Sequence, residues 1–221
     1  MKSKTDCVSF NTKNVGSFKS KGSYVLLDFG KELCGGIRVI TNYTNGIARF
    51  HLRFGESITE AMSEIGEKNA CNDHSPRDFE VGVPSLSDLT FGQTGFRFVY
   101  MELVSENPIS IQSIFAVNRL PVFKNEAEII TSDEQLNKII KTAAYTLKLC
   151  CQNNYIWDGI KRDRLVWSGD LHPEMLAAFY MFGDIPNIQN SLSFVKNDTH
   201  PTKWINWIPS YSAWWIINLC D

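Results

Sequence analysis

Apolar and polar positions change their rhythm once along this 221-residue chain. From Tyr24 to about Asn118, short apolar runs alternate with turn residues at the spacing of an all-β domain. Tyr24-Val25-Leu26-Leu27-Asp28-Phe29 lies between Gly22 and Gly30. Ile37-Arg38-Val39-Ile40 alternates, and the Asn45-Gly46 pair after it is a hairpin signal. Ile47 to Phe54 alternates apolar and polar, which predicts a strand with one buried and one wet face. Phe96 to Leu103 and Ile109 to Val117 repeat the device. Gly35-Gly36 reads as a turn. The stretch from Glu56 to Leu89, with Asn72 to Asp78 inside it, has turn residues and too little apolar periodicity for a buried element. It is expected to be a long loop covering the domain, or less often a functional loop.

After Pro121 the period becomes helical. Ser132 and Gln135 have capping-box spacing, and Leu136, Ile139, Ile140, Ala143, Ala144, Leu147 and Cys151 fall on one helical face. Pro173 suits a first turn, so Glu174 to Phe182 predicts a second helix, stopped by Gly183. Further helices are expected from about Pro186 to Val195 and from about Pro209 onward. Strands followed by helices imply two domains rather than a βαβ alternation. The expected boundaries are an extension over 1–23, a β-sandwich over 24–120, a linker over 121–131 and a helical domain over 132–221.

Composition narrows the function classes. With 43% hydrophobic and 21% charged residues, disorder is not expected. The net charge of -2 and the lack of a basic stripe argue against nucleic acid as a partner. No apolar run has the length of a membrane span, and Met1 to Cys7 is not followed by a signal-peptide core, so a cytoplasmic location is expected for the sequence as written. The six cysteines show no CxxC or zinc-ribbon spacing, and adjacent Cys150 and Cys151 on a helix would diverge, so reduced thiols are expected. No phosphate-binding glycine motif or nucleophile elbow occurs, and no cofactor is implied.

Candidate chemistry concentrates between Asp158 and Glu174, in the sequence DGIKRDRLVWSGDLHPE. Carboxylates, cations, a Trp and a His crowd a segment without a single period, between helices, where solvated sites are commonly built. Glycoside hydrolysis needs one carboxyl to protonate the leaving oxygen and a second to activate water or attack the sugar. Asp158, Asp163 and Asp170, interleaved with Arg162 and Arg164, offer the unequal environments that such a division requires. Trp167 offers an apolar face to a sugar ring. An ion-pair network stapling two helices explains the same residues equally well. Asp170, His172 and Glu174 could be metal ligands, but a structural His and a helix-start carboxylate fit better. Trp214 and Trp215 read as packing residues, while Trp204 and Trp207, in a Pro-flanked loop, remain open as sugar-stacking platforms.

This segment resembles the signature of bacterial α-L-rhamnosidases, Asp-x-x-x-Arg-Asp-Glu-Arg-x-x-Trp-x-Gly-Asp, at the start of an (α/α)6 toroid preceded by β-sandwich domains. Leu27 to Glu32 with Gly35-Gly36, and Arg53-Phe54-Gly55-Glu56-Ser57, resemble the module before that toroid. The implied fold is a jelly-roll-like antiparallel β-sandwich followed by the first helices of the toroid, incomplete at Asp221. The implied activity is inverting acid/base hydrolysis of terminal α-L-rhamnosides, with a rhamnose-containing glycan or glycoside as partner. By the same resemblance Asp158 contacts rhamnose, Arg162 orients it, and Trp167 and Asp170 belong to the pocket. The family's proton donor, the Glu of its Arg-Asp-Glu-Arg tetrad, is missing from Arg162-Asp163-Arg164, which makes Asp163 the nearest substitute and Glu174 the second.

The family's second catalytic carboxylate comes from a later loop of the toroid and has no counterpart before Asp221. The expectation is therefore a fragment inactive by itself, whose last helix leaves an apolar patch open to self-association. A non-catalytic carbohydrate-binding or scaffold remnant is the alternative, and a toroid glycosidase of another specificity is the third reading.

Overall fold

A computed structural model describes residues 3–8, 16–71 and 76–221, the first of these spans as a backbone strand. Asn72 to Ser75, part of the anticipated polar loop, and the thiol of Cys7 lie outside the described residues. The chain divides into two compact units, the first ending at Arg119 and the second starting at Leu120.

The first unit is an antiparallel sheet that curls on itself. Its strands are β1 (Ser3–Val8), β2 (Gly16–Phe18), β3 (Tyr24–Thr41), β4 (Ile47–Gly55), β5 (Asp78–Pro84), β6 (Asp88–Leu103) and β7 (Ile109–Pro121). They are ordered β1-β7-β3-β6-β4-β5, with β2 also on β7. The alternating residues of β4 and β6 send Phe50, Leu52, Val99, Met101 and Leu103 into one apolar core, all of them fully buried. Strand β3 fuses two of the expected runs. It bends where its register with β6 shifts between Asp28 and Leu33, and there Asp28 Oδ1 accepts the N–H of Gly30, which has φ 79°. Across the bend the Arg97 guanidinium grips both Asp28 oxygens, at 2.8 and 2.9 Å.

Three expectations for this unit are corrected. Asn45-Gly46 does not close a hairpin, because β6 lies between β3 and β4. A turn dipeptide fixes the local bend, not which strands pair. Gly35-Gly36 is not a turn but part of β3. A Cβ on Gly35 would stand 2.0 Å from the Val117 carbonyl oxygen, and one on Gly36 2.1 Å from that of Phe91, so both glycines permit close strand approach. The supposed loop from Glu56 to Leu89 contains the short helix α1 (Ile58–Ala61) and strand β5, whose partner is β4. Arg77 within it is almost fully buried and donates to the carbonyls of Glu60 and Ser63 at 3.1 and 2.9 Å, which ties the segment down.

The second unit is helical: α2 (Glu134–Cys150), α3 (Leu171–Phe182), α4 (Pro186–Asp198) and α5 (Pro209–Cys220), with a two-stranded ribbon of β8 (Cys151–Gln152) and β9 (Tyr155–Ile156) after α2. The cap of α2 is Asp133 rather than Ser132. Its carboxylate accepts from Gln135 N–H at 2.8 Å and Leu136 N–H at 3.1 Å, a stronger acceptor than a hydroxyl one residue earlier. Cys151 has already left the helix for β8. Helix α3 ends at Gly183 with φ 75°, as anticipated. Phe123, Leu171, Met175, Ala178, Phe182 and Leu192 form the centre of this unit's core. Among the described residues no helix is long and apolar enough to cross a membrane.

Candidate active site

The connector between β9 and α3 carries the chemistry, and tertiary contacts hold it. The N–H of Asp158 donates to the Leu165 carbonyl at 3.0 Å, and Asp158 Oδ1 accepts the Leu165 N–H at 2.9 Å, so residues 158–165 close into a loop. Asp163 and Arg164 lie within this loop, with left-handed φ values of 57° and 56°. Non-glycine residues hold that conformation only where surrounding contacts determine it. Here the Arg164 guanidinium lies 4.8 Å from the ring centre of Trp157, itself buried with Val166, Val195 and Ile205.

The second half of the connector is locked from the segment before α5. Asn206 Oδ1 accepts from the Ser168 N–H at 3.0 Å and faces its hydroxyl at 3.1 Å, while the Asn206 amide donates to the Val166 carbonyl at 3.0 Å. Ser168 has no solvent exposure, and the Asn218 amide satisfies its carbonyl at 2.8 Å. Trp167 is thereby held between two anchored neighbours. The ring of Tyr211 meets it edge-on at 5.9 Å, and the Tyr211 hydroxyl donates to Asp170 Oδ2 at 3.3 Å. Gly169 makes room for that ring, since a Cβ there would stand 2.5 Å from Tyr211 Cε1.

These anchors leave a cavity of about 620 Å³ lined by Asp158, Asp163, Trp167, Asp170, Glu174 and Tyr211, with Pro173 and Ile208 completing it. Burial pushes the Glu174 carboxyl up to about 8, helped by the nearby charges of Asp170 and Asp158, so Glu174 holds a proton at neutral pH. Burial also raises Asp158, against the Leu165 N–H that favours its charged form, and the charges of Asp163 and Asp170 add to the rise. Desolvation and then Asp170 raise the Tyr211 phenol. One wall thus presents a neutral carboxylic acid, further carboxyl groups and two aromatic rings.

Five of the six residues singled out in the sequence therefore border one cavity. Arg162 is exposed and does not line it. Tyr211 was not among the six; Pro209 at the first helical position of α5 was the available signal, because it puts Tyr211 in the opening turn beside the connector. His172 turns aside to pair with Asp221 at 2.9 Å and packs on the Trp214 ring. Among the described residues no group of three or more His, Cys, Asp or Glu side chains is placed to hold a metal ion. A second, mainly apolar cavity of about 860 Å³ runs along α2 and α3 and shares Asp158, Pro173 and Glu174 with the first.

A curled antiparallel β unit followed by helices, with a carboxyl-rich cavity at the entry to α3, defines the class of fold. Among solved structures the chain is similar to a rhamnosidase from Klebsiella oxytoca with rhamnose bound, at 20% identity and a TM-score of 0.75, over 95% of this chain and 45% of that one. It is also similar to a GH78-family rhamnosidase of Bacillus sp. GL1, at 18% identity and a TM-score of 0.73, over 93% of this chain and 22% of that one. The chain thus spans less than half of either rhamnosidase, and the likeness establishes the shared fold. No protein-family model and no curated protein matches the sequence.

Proposed function

We propose that the cavity around Glu174 is part of the sugar site of a rhamnosidase-like glycoside hydrolase that acts on terminal α-L-rhamnosides. The observation that carries this reading is the convergence of Asp158, Asp163, Asp170 and Glu174 beside Trp167 and Tyr211 in one cavity. Carboxyl groups satisfy sugar hydroxyls, and the indole offers a surface to the ring and to the methyl group that distinguishes rhamnose from most hexoses. The likeness in fold to two rhamnosidases is the reason rhamnose is proposed among the sugars this chemistry admits.

Two carboxyl groups compete for the proton donor's role. Glu174 is favoured by its protonation, since a donor must carry its proton at the pH of the reaction. Asp163 is favoured by its place in the Arg162-Asp163-Arg164 signature and by the left-handed backbone that holds it at the cavity. In the inverting scheme proposed here, one of them protonates the leaving oxygen while a separate carboxylate activates water. That second role is assigned to no residue of the described cavity.

Binding is tested by titrating L-rhamnose into the 221-residue chain and following tryptophan fluorescence. The expected result is a saturable change that Trp167→Ala abolishes; a response unaffected by that substitution would remove the cavity from consideration. The donor is tested in the form that hydrolyses aryl α-L-rhamnosides, with Asp163→Asn and Glu174→Gln on good and poor leaving groups. Loss of the donor spares the good leaving group and slows the poor one by on the order of 10²–10⁴-fold.

A further inference from the structure

A third cavity, of about 190 Å³, lies where α4 ends, lined by Phe194, Asp198, His200, Lys203, Trp204 and Trp207 among others. Its space equals about six waters at ~30 Å³ each, the scale of one hexopyranose ring. Both indoles are exposed, Trp207 by 77% and Trp204 by 58%, although folding ordinarily hides such rings. Trp207 also has a left-handed φ of 61°, directly after Asn206 at 51°. A bulky residue is rarely found there, and replacing this exposed ring would relieve the backbone at little loss of packing. The conformation is maintained from Asn206, whose side chain is fixed on Ser168 and Val166. The Trp207 backbone, which also donates its N–H to the Trp204 carbonyl at 3.0 Å, is thereby set in one conformation, and this narrows the directions in which the exposed ring can project to meet a flat apolar surface.

The polar rim identifies the ligand. His200 Nδ1 accepts the Thr202 N–H at 3.3 Å and faces its hydroxyl at 2.9 Å, so the proton of the neutral imidazole sits on Nε2, where it can be donated. Asp198 supplies an acceptor and Lys203 a further donor, which leaves the cavity without a strong excess of either charge. Donors and an acceptor beside indole faces match a neutral sugar, which has hydroxyls at its rim and C–H groups on its faces.

We propose that Trp204 and Trp207 form a second carbohydrate site that takes one neutral hexopyranose ring, stacked on the Trp207 indole and hydrogen-bonded by Asp198 and His200. This site does not depend on the chemistry of the cavity around Glu174. The test follows the indole N–H signals of the ¹⁵N-labelled 221-residue chain, assigned with Trp204→Phe and Trp207→Phe, during addition of methyl β-D-glucopyranoside, with sodium glucuronate as the charged control. The all-equatorial glucoside presents C–H groups on both faces and is expected to shift the Trp204 and Trp207 signals saturably, with half-saturation on the order of 1–10 mM. Trp207→Gly should weaken this binding about tenfold while the thermal midpoint stays level or rises, because glycine tolerates the left-handed backbone. No saturable shift of these two signals by about 100 mM sugar, or an equal response to glucuronate, overturns the proposal. So does a Trp207→Gly chain that melts earlier yet binds the glucoside unchanged. The Trp167 signal reports the other cavity separately, so failure of rhamnose to bind there leaves this result readable.

Discussion

Glu174 ties the chemistry of the cavity to the stability of the fold. Its carboxyl is raised from 4.5 to about 8 in the folded chain, so between those values the native state keeps a proton that the unfolded state has lost. Stability therefore falls as pH rises through this window, and the contribution of the protonated carboxyl is fully present only below the unfolded value. Glu174→Gln removes that titration. Urea denaturation from pH 5 to 8 should show the wild type losing at least ~2 kcal/mol relative to the variant. Parallel curves would mean that the carboxyl is not held neutral. Gly169 tests the same wall by volume. Its missing Cβ is the space that the Tyr211 ring occupies, and the ring is fixed by Trp167 on one side and Asp170 on the other. Gly169→Ala should cost about 1–3 kcal/mol and change the near-ultraviolet circular dichroism of Trp167 and Tyr211. An unaltered spectrum would show that the ring does not rest there.

At the scale of elements, what the sequence revealed depended on whether each element is organised by its own residues. Strand β4 and helices α3 and α4 were legible because their apolar positions repeat with the period of the element and their ends carry Gly or Pro. Strand β5 was missed although Phe79, Val81 and Val83 alternate, because Gly82 and Pro84 resemble loop punctuation and the strand lies at the sheet's edge. The connector from Asp158 to Asp170 showed its chemistry but not its shape, since the bonds that set that shape come from Asn206 and Asn218, far along the chain. That dependence can be measured. Asn206→Ala strands the N–H of fully buried Ser168 and puts a Cβ-bearing residue without a helpful side chain at a left-handed φ, so it should destabilise the chain by about 2 kcal/mol or more. Asn206→Gly loses the same bonds without the backbone strain and should cost less. Equal effects below ~0.5 kcal/mol in urea denaturation would show that the connector holds itself.

At the scale of the whole molecule, the two units differ in how completely they bury their apolar surface. The sheet encloses Phe50, Phe54, Phe96 and their neighbours with almost no exposure. The helical unit leaves Leu136 and Ile139 of α2, Phe179 and Tyr180 of α3, and Ile216 and Leu219 of α5 substantially in water. The face of α2 that the sequence marked as apolar borders the 860 Å³ cavity instead of a packed core. Extended apolar surface of this kind favours association, since burial releases roughly 25 cal/mol for each Å² removed from water. The 221-residue chain is expected to self-associate reversibly, with an apparent mass that rises with concentration in sedimentation equilibrium. Ile216→Lys combined with Leu219→Lys should shift that equilibrium towards monomer at unchanged helix content, because both side chains are more than half exposed and contribute little to the fold. A strictly monomeric wild type at high concentration, or an association indifferent to these charges, would mean that the exposed side of α5 is not the adhesive surface.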